Sequence, residues 1–314
     1  EVSLLKSLAD LYVAEKEYFK ALEAWRELVT NYPNTREAVE SAQKMSDTFL
    51  ALFVKGEADS MAALDALSLF YEFRDLTPPG EDGDVVIRNL ADRLVSVDLL
   101  DRGAALLTHQ IRFRLAGLEK ARVGTRLALI HVLNRSPQLA LDVLEFTKMD
   151  GLPAELETQR GMIAARALSE LDKKEDALAM IEKDTSEEAE MLRVDIFWRL
   201  KDWPNVIRLI QRQLIGRELN PEPLNPMESE LVTRLAVAYI LDNYFEGLSV
   251  LRQNFGKLMK EGPQKDTFDF LTRETETIDP KNYEKVTADI TKFEGYVTKL
   301  KERLKAKKLS DVVP

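Results

Sequence analysis

The sequence predicts an all-α fold assembled from stacked helical hairpins, and three observations carry that expectation. Pairs of small residues recur twelve positions apart, apolar residues flank them at helical spacing, and no stretch shows the β-branched alternation that marks strands. The composition agrees. Hydrophobic residues make up 45 % and charged residues 31 % of the 314 residues, enough apolar surface for an extended core and too much for a disordered chain. A single round core stops growing near roughly 250–300 residues, so the length points to two domains or to one long repeat array.

The first hairpin is the clearest. Leu8-Ala9-Asp10-Leu11-Tyr12 leads through an amphipathic turn to Ala21, Leu22 and Trp25, and Tyr32-Pro33 closes the unit, where the missing N–H of proline does no harm. Ala9 and Ala21 stand twelve positions apart, with Tyr12 and Trp25 three and four places after them. The same frame returns in Leu90-Ala91 with Gly103 and Leu107, in Leu127-Ala128 with Ala140 and Leu144, and in Ala164-Ala165 with Ala177 and Ile181. A weaker copy sets Val194 against Val206 and Ile210. Another sets Ala236 and Tyr239 against Gly247 and Leu251, with one residue fewer in the turn. Thr48 to Pro78, with Ala66, Phe70 and Phe73, supplies a degraded copy, for seven hairpins in all. Turn-rich stretches punctuate them: Pro78 to Gly83, Asp150 to Pro153 and Asn220 to Pro226. The first and third exceed what a bare repeat needs and read as outer-edge insertions or as partner-contacting loops.

This pattern resembles the tetratricopeptide repeat, in which a small residue late in the first helix lies twelve positions before a small residue in the second. The resemblance implies a right-handed α-solenoid of about seven degenerate hairpins over residues 1–262, whose first helices line a concave groove. Residues 263–314 are expected to cap it. A short helix near Lys265 to Thr275 leads to Asp279-Pro280, a plausible helix start. A long helix then runs from about Lys281 to Lys308, with a seam of Val286, Ile290, Phe293, Val297, Leu300 and Leu304. That helix covers the last repeat or joins two copies into a homo-oligomer. Its basic end, from Lys299 to Lys308, reads as a solvated helix terminus.

Catalytic signatures are missing from the sequence. There is no Cys and there are only two His, which rules out thiolate zinc sites, disulfides and a Cys nucleophile. Neither His109 nor His131 sits in a metal-ligand spacing, and no phosphate-cradling, nucleophile-elbow or zinc-protease motif occurs. His131 aligns with Tyr12 and reads as a core residue; His109 reads as surface. Thr185-Ser186-Glu187-Glu188 reads as a helix start with acids at the positive end of the dipole. The expectation is a chain that is not an enzyme and holds no metal or cofactor. A net charge of −10 argues against nucleic-acid binding, and no apolar run reaches the roughly 18–20 residues that span a bilayer. Ala-rich degenerate repeats with few His and no Cys suggest a bacterial chain, with an envelope or periplasmic setting favoured over the cytoplasm. The absence of an initiator Met leaves room for a lost leader or a larger parent protein.

The resemblance also implies a ligand surface. Its frame carries the groove onto Arg88 and Asn89, onto Arg122, Thr125 and Arg126, onto Gln159 and Arg166, and onto Arg199 and Arg234. Arginine gives planar two-pronged hydrogen bonds to carboxylates, so the expected partner is a protein or peptide, acidic or ending in a carboxylate. Lys6 stands where some members of the family hold a terminal carboxylate, but Asp10 replaces the Asn that accompanies it. The opposing reading pairs these arginines with nearby acids such as Asp92 and Asp195. Function is therefore expected to be an interaction scaffold; the alternatives are the substrate-recognition region of a larger enzyme and a structural oligomer.

Overall fold

The structure is a computed structural model that describes residues 2–262, 264–273 and 295–313. Among the described residues there are α-helices, short 3₁₀ turns and no strand. The helices are α1 (Val2–Ala14), α2 (Tyr18–Asn31), α3 (Arg36–Val54), α4 (Ala63–Glu72), α5 (Glu81–Ser96), α6 (Leu100–Phe113), α7 (Gly117–Leu133) and α8 (Pro137–Phe146). After them come α9 (Ala154–Glu170), α10 (Lys174–Met180), α11 (Glu187–Leu200), α12 (Trp203–Leu214), α13 (Pro226–Leu241), α14 (Phe245–Phe255), α15 (Lys265–Leu271), α16 (Gly295–Ala306) and α17 (Leu309–Val312). The chain divides into two compact units, residues 1–163 with 304–314, and residues 164–303.

The small residues that the sequence pairs are buried. Ala9 and Ala21, Ala128 and Ala140, and Ala165 and Ala177 are all fully buried. A Cβ on Gly103 would meet Val95 at 3.2 Å, so the smallest residue sits at a tight contact. Between the members of each pair the backbone repeats one device six times. Lys16, Asp98, Arg135, Asp172, Lys201 and Asn243 all take the left-handed conformation, with φ of 57° to 65°. The residue after each donates its N–H to the carbonyl five positions back: Glu17 to Tyr12, Leu99 to Leu94, Ser136 to His131, Lys173 to Leu168, Asp202 to Phe197 and Tyr244 to Tyr239. This is a Schellman cap, which satisfies the last carbonyls of the first helix while reversing the chain. The seventh repeat uses the same turn, so no residue is lost there, contrary to the sequence reading. Its small residue, Gly247, lies one place early instead, where a Cβ would come within 3.0 Å of both Tyr239 and Tyr244.

In the first unit, α3 and α4 depart from this scheme. Gly56 (φ 81°) and a 3₁₀ turn, Glu57–Ser60, replace the shared cap, and Phe49, Phe53 and Phe70 pack ring against ring. The start of α5 is braced by Arg114, which donates to the Asp84 carboxylate at 2.9 Å and to the Pro78 carbonyl at 3.0 Å. Residues 304–313 return to this unit and close its core with Leu309, Val312 and Val313.

The second unit holds a core of Val194, Trp198, Val206, Ile210, Leu235 and Phe268, among others. Ser186 caps α11 through its hydroxyl, which accepts from Ala189 N, as the sequence suggests. Asn225 and Glu228 form a reciprocal capping box at the start of α13. The preceding loop is tied down by Arg217, which donates to Glu228 and to the carbonyls of Asn220, Glu222 and Pro223. Val297 and Leu300 of the expected seam are buried on α16, and the helix ends at Ala306 rather than Lys308. Asp279, Pro280, Val286, Ile290 and Phe293 lie outside the described residues.

Candidate functional site

The first unit carries a site that is already filled by the protein's own chain. Asp92 sits on α5, Arg126 on α7 and Gln159 on α9, each on the first helix of a hairpin. Asp92 and Arg126 are buried, at 5 % and 7 % exposure, yet neither ends in an ion pair with the other as its closest contact. The Asp92 carboxylate accepts the Ser310 backbone N–H at 3.1 Å and the Ser310 hydroxyl at 2.5 Å. Arg126 Nε donates to the Val313 carbonyl at 2.7 Å, and Gln159 Nε2 donates to the Val312 carbonyl at 3.4 Å. One helical turn, Leu309–Val312, is thereby held at both ends. The amide of its second residue finds a carboxylate, and its last carbonyls find a guanidinium and an amide, groups that a helix leaves open at its termini. Leu309, Val312 and Val313 are at most 5 % exposed, so apolar burial adds to the polar capping.

Burial pushes the Asp92 carboxyl above its usual range, against the opposing pull of Ser310, Arg126 and Arg88. Burial likewise lowers Arg126 from the usual guanidinium value, with Asp92 opposing. Asp92 and Arg126 form a buried pair of opposite charge with a peptide segment set across it. Such a pair reads donors and acceptors with little freedom to adapt, because each group left unmatched there costs its desolvation.

Two cavities flank the occupied site. One, of about 740 Å³, lies between Phe53, Asn89, Asp92, Arg93 and the returning residues Leu304 to Asp311. Asn89 braces its wall by donating to the Phe53 carbonyl at 2.9 Å, and Arg93 donates to the Ala58 carbonyl at 2.5 Å. The other, of about 600 Å³, is lined by Arg88, Arg122 and Arg126 together with Glu81, Asp84, Glu119 and Gln110. Its acids are largely engaged: Asp84 with Arg114 and Glu119 with Arg122 at 3.4 Å. Arg88 is half-buried, lines this cavity and makes no hydrogen bond or ion pair among the described residues, although its charge acts on Asp92.

Of the nine residues singled out in the sequence, the first unit brings five together around this site: Arg88, Asn89, Arg122, Arg126 and Gln159. Thr125 is a core residue. It is fully buried, and its hydroxyl donates to Ala121 O and accepts from Arg160. Arg166 and Arg234, expected in the groove, are also core. Arg166 is fully buried and donates twice to Glu170. Arg234 is 1 % exposed, pairs with Asp195 at 2.8 Å and stacks on Trp198. Their charge is spent inside the second unit, as the ion-pair reading of the sequence anticipates for Asp195. Arg199 is half-buried and donates to the Ser169 carbonyl at 3.4 Å. Lys6 and Asp10 are both paired across to α3, with Glu40 and Lys44.

Sequence reasoning missed Arg160 and the role of Asp92. Arg160 donates to the carbonyls of Ala121 and Leu144 and to the hydroxyls of Thr125 and Thr147, locking α7, α8 and α9 beneath the site. A Cβ on Gly124 would fall 2.3 Å from the Thr147 hydroxyl, so this glycine lets α7 approach. Asp92 reads in the sequence as one more acid near arginines; only the return of a segment more than two hundred residues distant gives it Ser310 as a hydrogen-bond partner.

His131 is half-buried and burial lowers its pKa; His109 is exposed beside Phe113. No group of three or more His, Cys, Asp or Glu among the described residues could hold a metal ion. No helix among them is long and apolar enough to cross a membrane. A search against protein-family models finds no match for this chain, and neither does a search of curated proteins.

Proposed function

We propose that this chain is a non-catalytic interaction scaffold, a tetratricopeptide-like right-handed solenoid of degenerate hairpins that binds a peptide of a partner protein. The repeated small pairs and the six identical turns support the architecture. The observation that carries the function is the seating of Leu309–Val313 on α5, α7 and α9 through Asp92, Arg126 and Gln159. A surface that already holds five residues of chain, by backbone capping and apolar burial, has the chemistry of a peptide site. Arg88 and Arg122, on the adjoining cavity, supply positive charge for an acidic side chain of the ligand.

The test is selection of ligands from a random peptide display library. It is run on the whole chain and on its Ser310→Glu variant, in which a second carboxylate faces Asp92. Peptides that bind at least tenfold more weakly after Arg88→Ala with Arg122→Ala, and that weaken as salt is raised, support the site. Recovery of no peptide from either protein, or of peptides indifferent to both substitutions, overturns it.

A further inference from the structure

The held segment describes its own ligand class. Along Leu309-Ser310-Asp311-Val312-Val313, the first, fourth and fifth residues are buried, the third is exposed, and the second donates both its amide and its hydroxyl to Asp92. Carbonyls four and five are taken by Gln159 and Arg126. A residue without a hydroxyl in the second place leaves one oxygen of a 5 % exposed carboxylate unmatched, and a charged residue in the fourth or fifth would be desolvated without a partner. The site therefore reads a pattern: apolar, Ser or Thr, any residue, apolar, apolar, in a single helical turn.

The segment does not fill the space around it. A cavity of about 740 Å³ lies along its Leu304 to Asp311 side, and a second of about 600 Å³ is lined by Arg88, whose charge also acts on Asp92. A longer ligand has room to make contacts that the protein's own segment does not make. Because the segment belongs to the same chain, its docking is intramolecular, and it obstructs ligands even where its intrinsic affinity is low.

We infer that Leu309–Val313 is a built-in competitor, and that the partner of this site is a peptide carrying the pattern apolar–Ser/Thr–any–apolar–apolar, which binds by displacing it. This rests on the reading of the chain as a peptide-binding scaffold and adds to it the ligand's pattern and its regulation. The occupant is a partner peptide rather than a second copy, because the first unit already satisfies the site with its own residues.

The experiment uses fluorescence anisotropy with a labelled synthetic peptide of residues 307–314. Its receptors are the whole chain, its Leu309→Asp, Val312→Asp double variant, and that double variant with Asp92→Ala added. The double variant removes the competitor and is expected to bind at least tenfold tighter than the unaltered chain. Adding Asp92→Ala is expected to return binding to the unaltered level or below, and a peptide with Ser310→Ala is expected to bind more weakly. Circular dichroism checks that each variant is folded, and Ser310→Glu provides a second, chemically different release that should give the same ordering. Equal binding to the unaltered and released chains, or binding indifferent to Asp92, overturns the inference. A dimer of the unaltered chain in light scattering that dissociates in the double variant also overturns it, because the segment would then serve a second copy. If library peptides depend on Arg88 and Arg122 but lack the pattern, the inference falls while the scaffold reading stands; if no such peptides exist, the scaffold reading itself falls.

Discussion

At the scale of single residues the site is decided by buried charge. Asp92 has its carboxyl raised by burial, so its ionised form is the costly one in the folded chain. The stability tied to this group is then present at low pH and lost as pH rises from the ordinary carboxylate value, roughly 3.9, through the raised folded value. The charged groups facing it are Arg126 and Arg88. Asp92→Asn should therefore gain on the unaltered chain in urea denaturation as pH goes from 4 to 7; a difference constant with pH would contradict the burial argument. Arg160 is a second buried cation, held by four oxygens and no carboxylate. Arg160→Met should cost about 2–4 kcal/mol in the same assay, because the bonds of a charged donor are lost and buried carbonyls are left open. Gly124→Ala should cost about 1–3 kcal/mol by overpacking against Thr147.

At the scale of elements the hairpin turn is the recurring part. Six non-glycine residues sit in the left-handed region, which strains a side chain bearing a Cβ. Lys201, exposed at the end of α11, tests this cleanly. Lys201→Gly should stabilise by about 0.5–1 kcal/mol, since relief of the backbone strain outweighs the added freedom of the unfolded chain. Lys201→Val should destabilise by about 1–2 kcal/mol, because a β-branched residue is a genuine outlier there. Thermal denaturation of both variants decides the matter, and shifts of the same sign would refute the account. These caps were not legible in the sequence, because the glycine that usually announces them is absent and Lys, Asp, Arg and Asn stand in its place. The helices themselves were legible, because the Ala and Gly pairs that allow close crossing recur at a constant spacing that local packing enforces.

At the scale of the whole molecule the arginines that look like one row in the sequence belong to different physical situations. Arg234→Ala should cost about 3–5 kcal/mol of stability by breaking the buried ion pair with Asp195 in the core of the second unit. It should leave peptide binding by the first unit unchanged. Arg88→Ala, at a half-buried position whose charge acts on Asp92 without a hydrogen bond or ion pair, should change stability by at most about 1 kcal/mol and weaken binding of acidic peptides. Urea denaturation paired with a binding titration separates the two, and a reversal of these effects would show that the charges are misassigned.

Helix content, the hairpin frame and the want of catalytic motifs follow from local pattern, since spacing, small residues and residue types are properties of neighbouring positions. The candidate site was half legible on the same grounds: Arg88, Arg122, Arg126 and Gln159 fall on the first helices of their hairpins, where the repeat frame puts them. Which arginines are spent in the core depended on tertiary contacts. Arg166 finds Glu170 one turn away, but Arg234 finds Asp195 only where α11 and α13 lie together. The occupant of the site was not legible at all. Ser310 meets Asp92 across 218 positions and Val313 meets Arg126 across 187, and contacts over such separations leave no periodicity, because loop closure and burial in three dimensions bring those residues together.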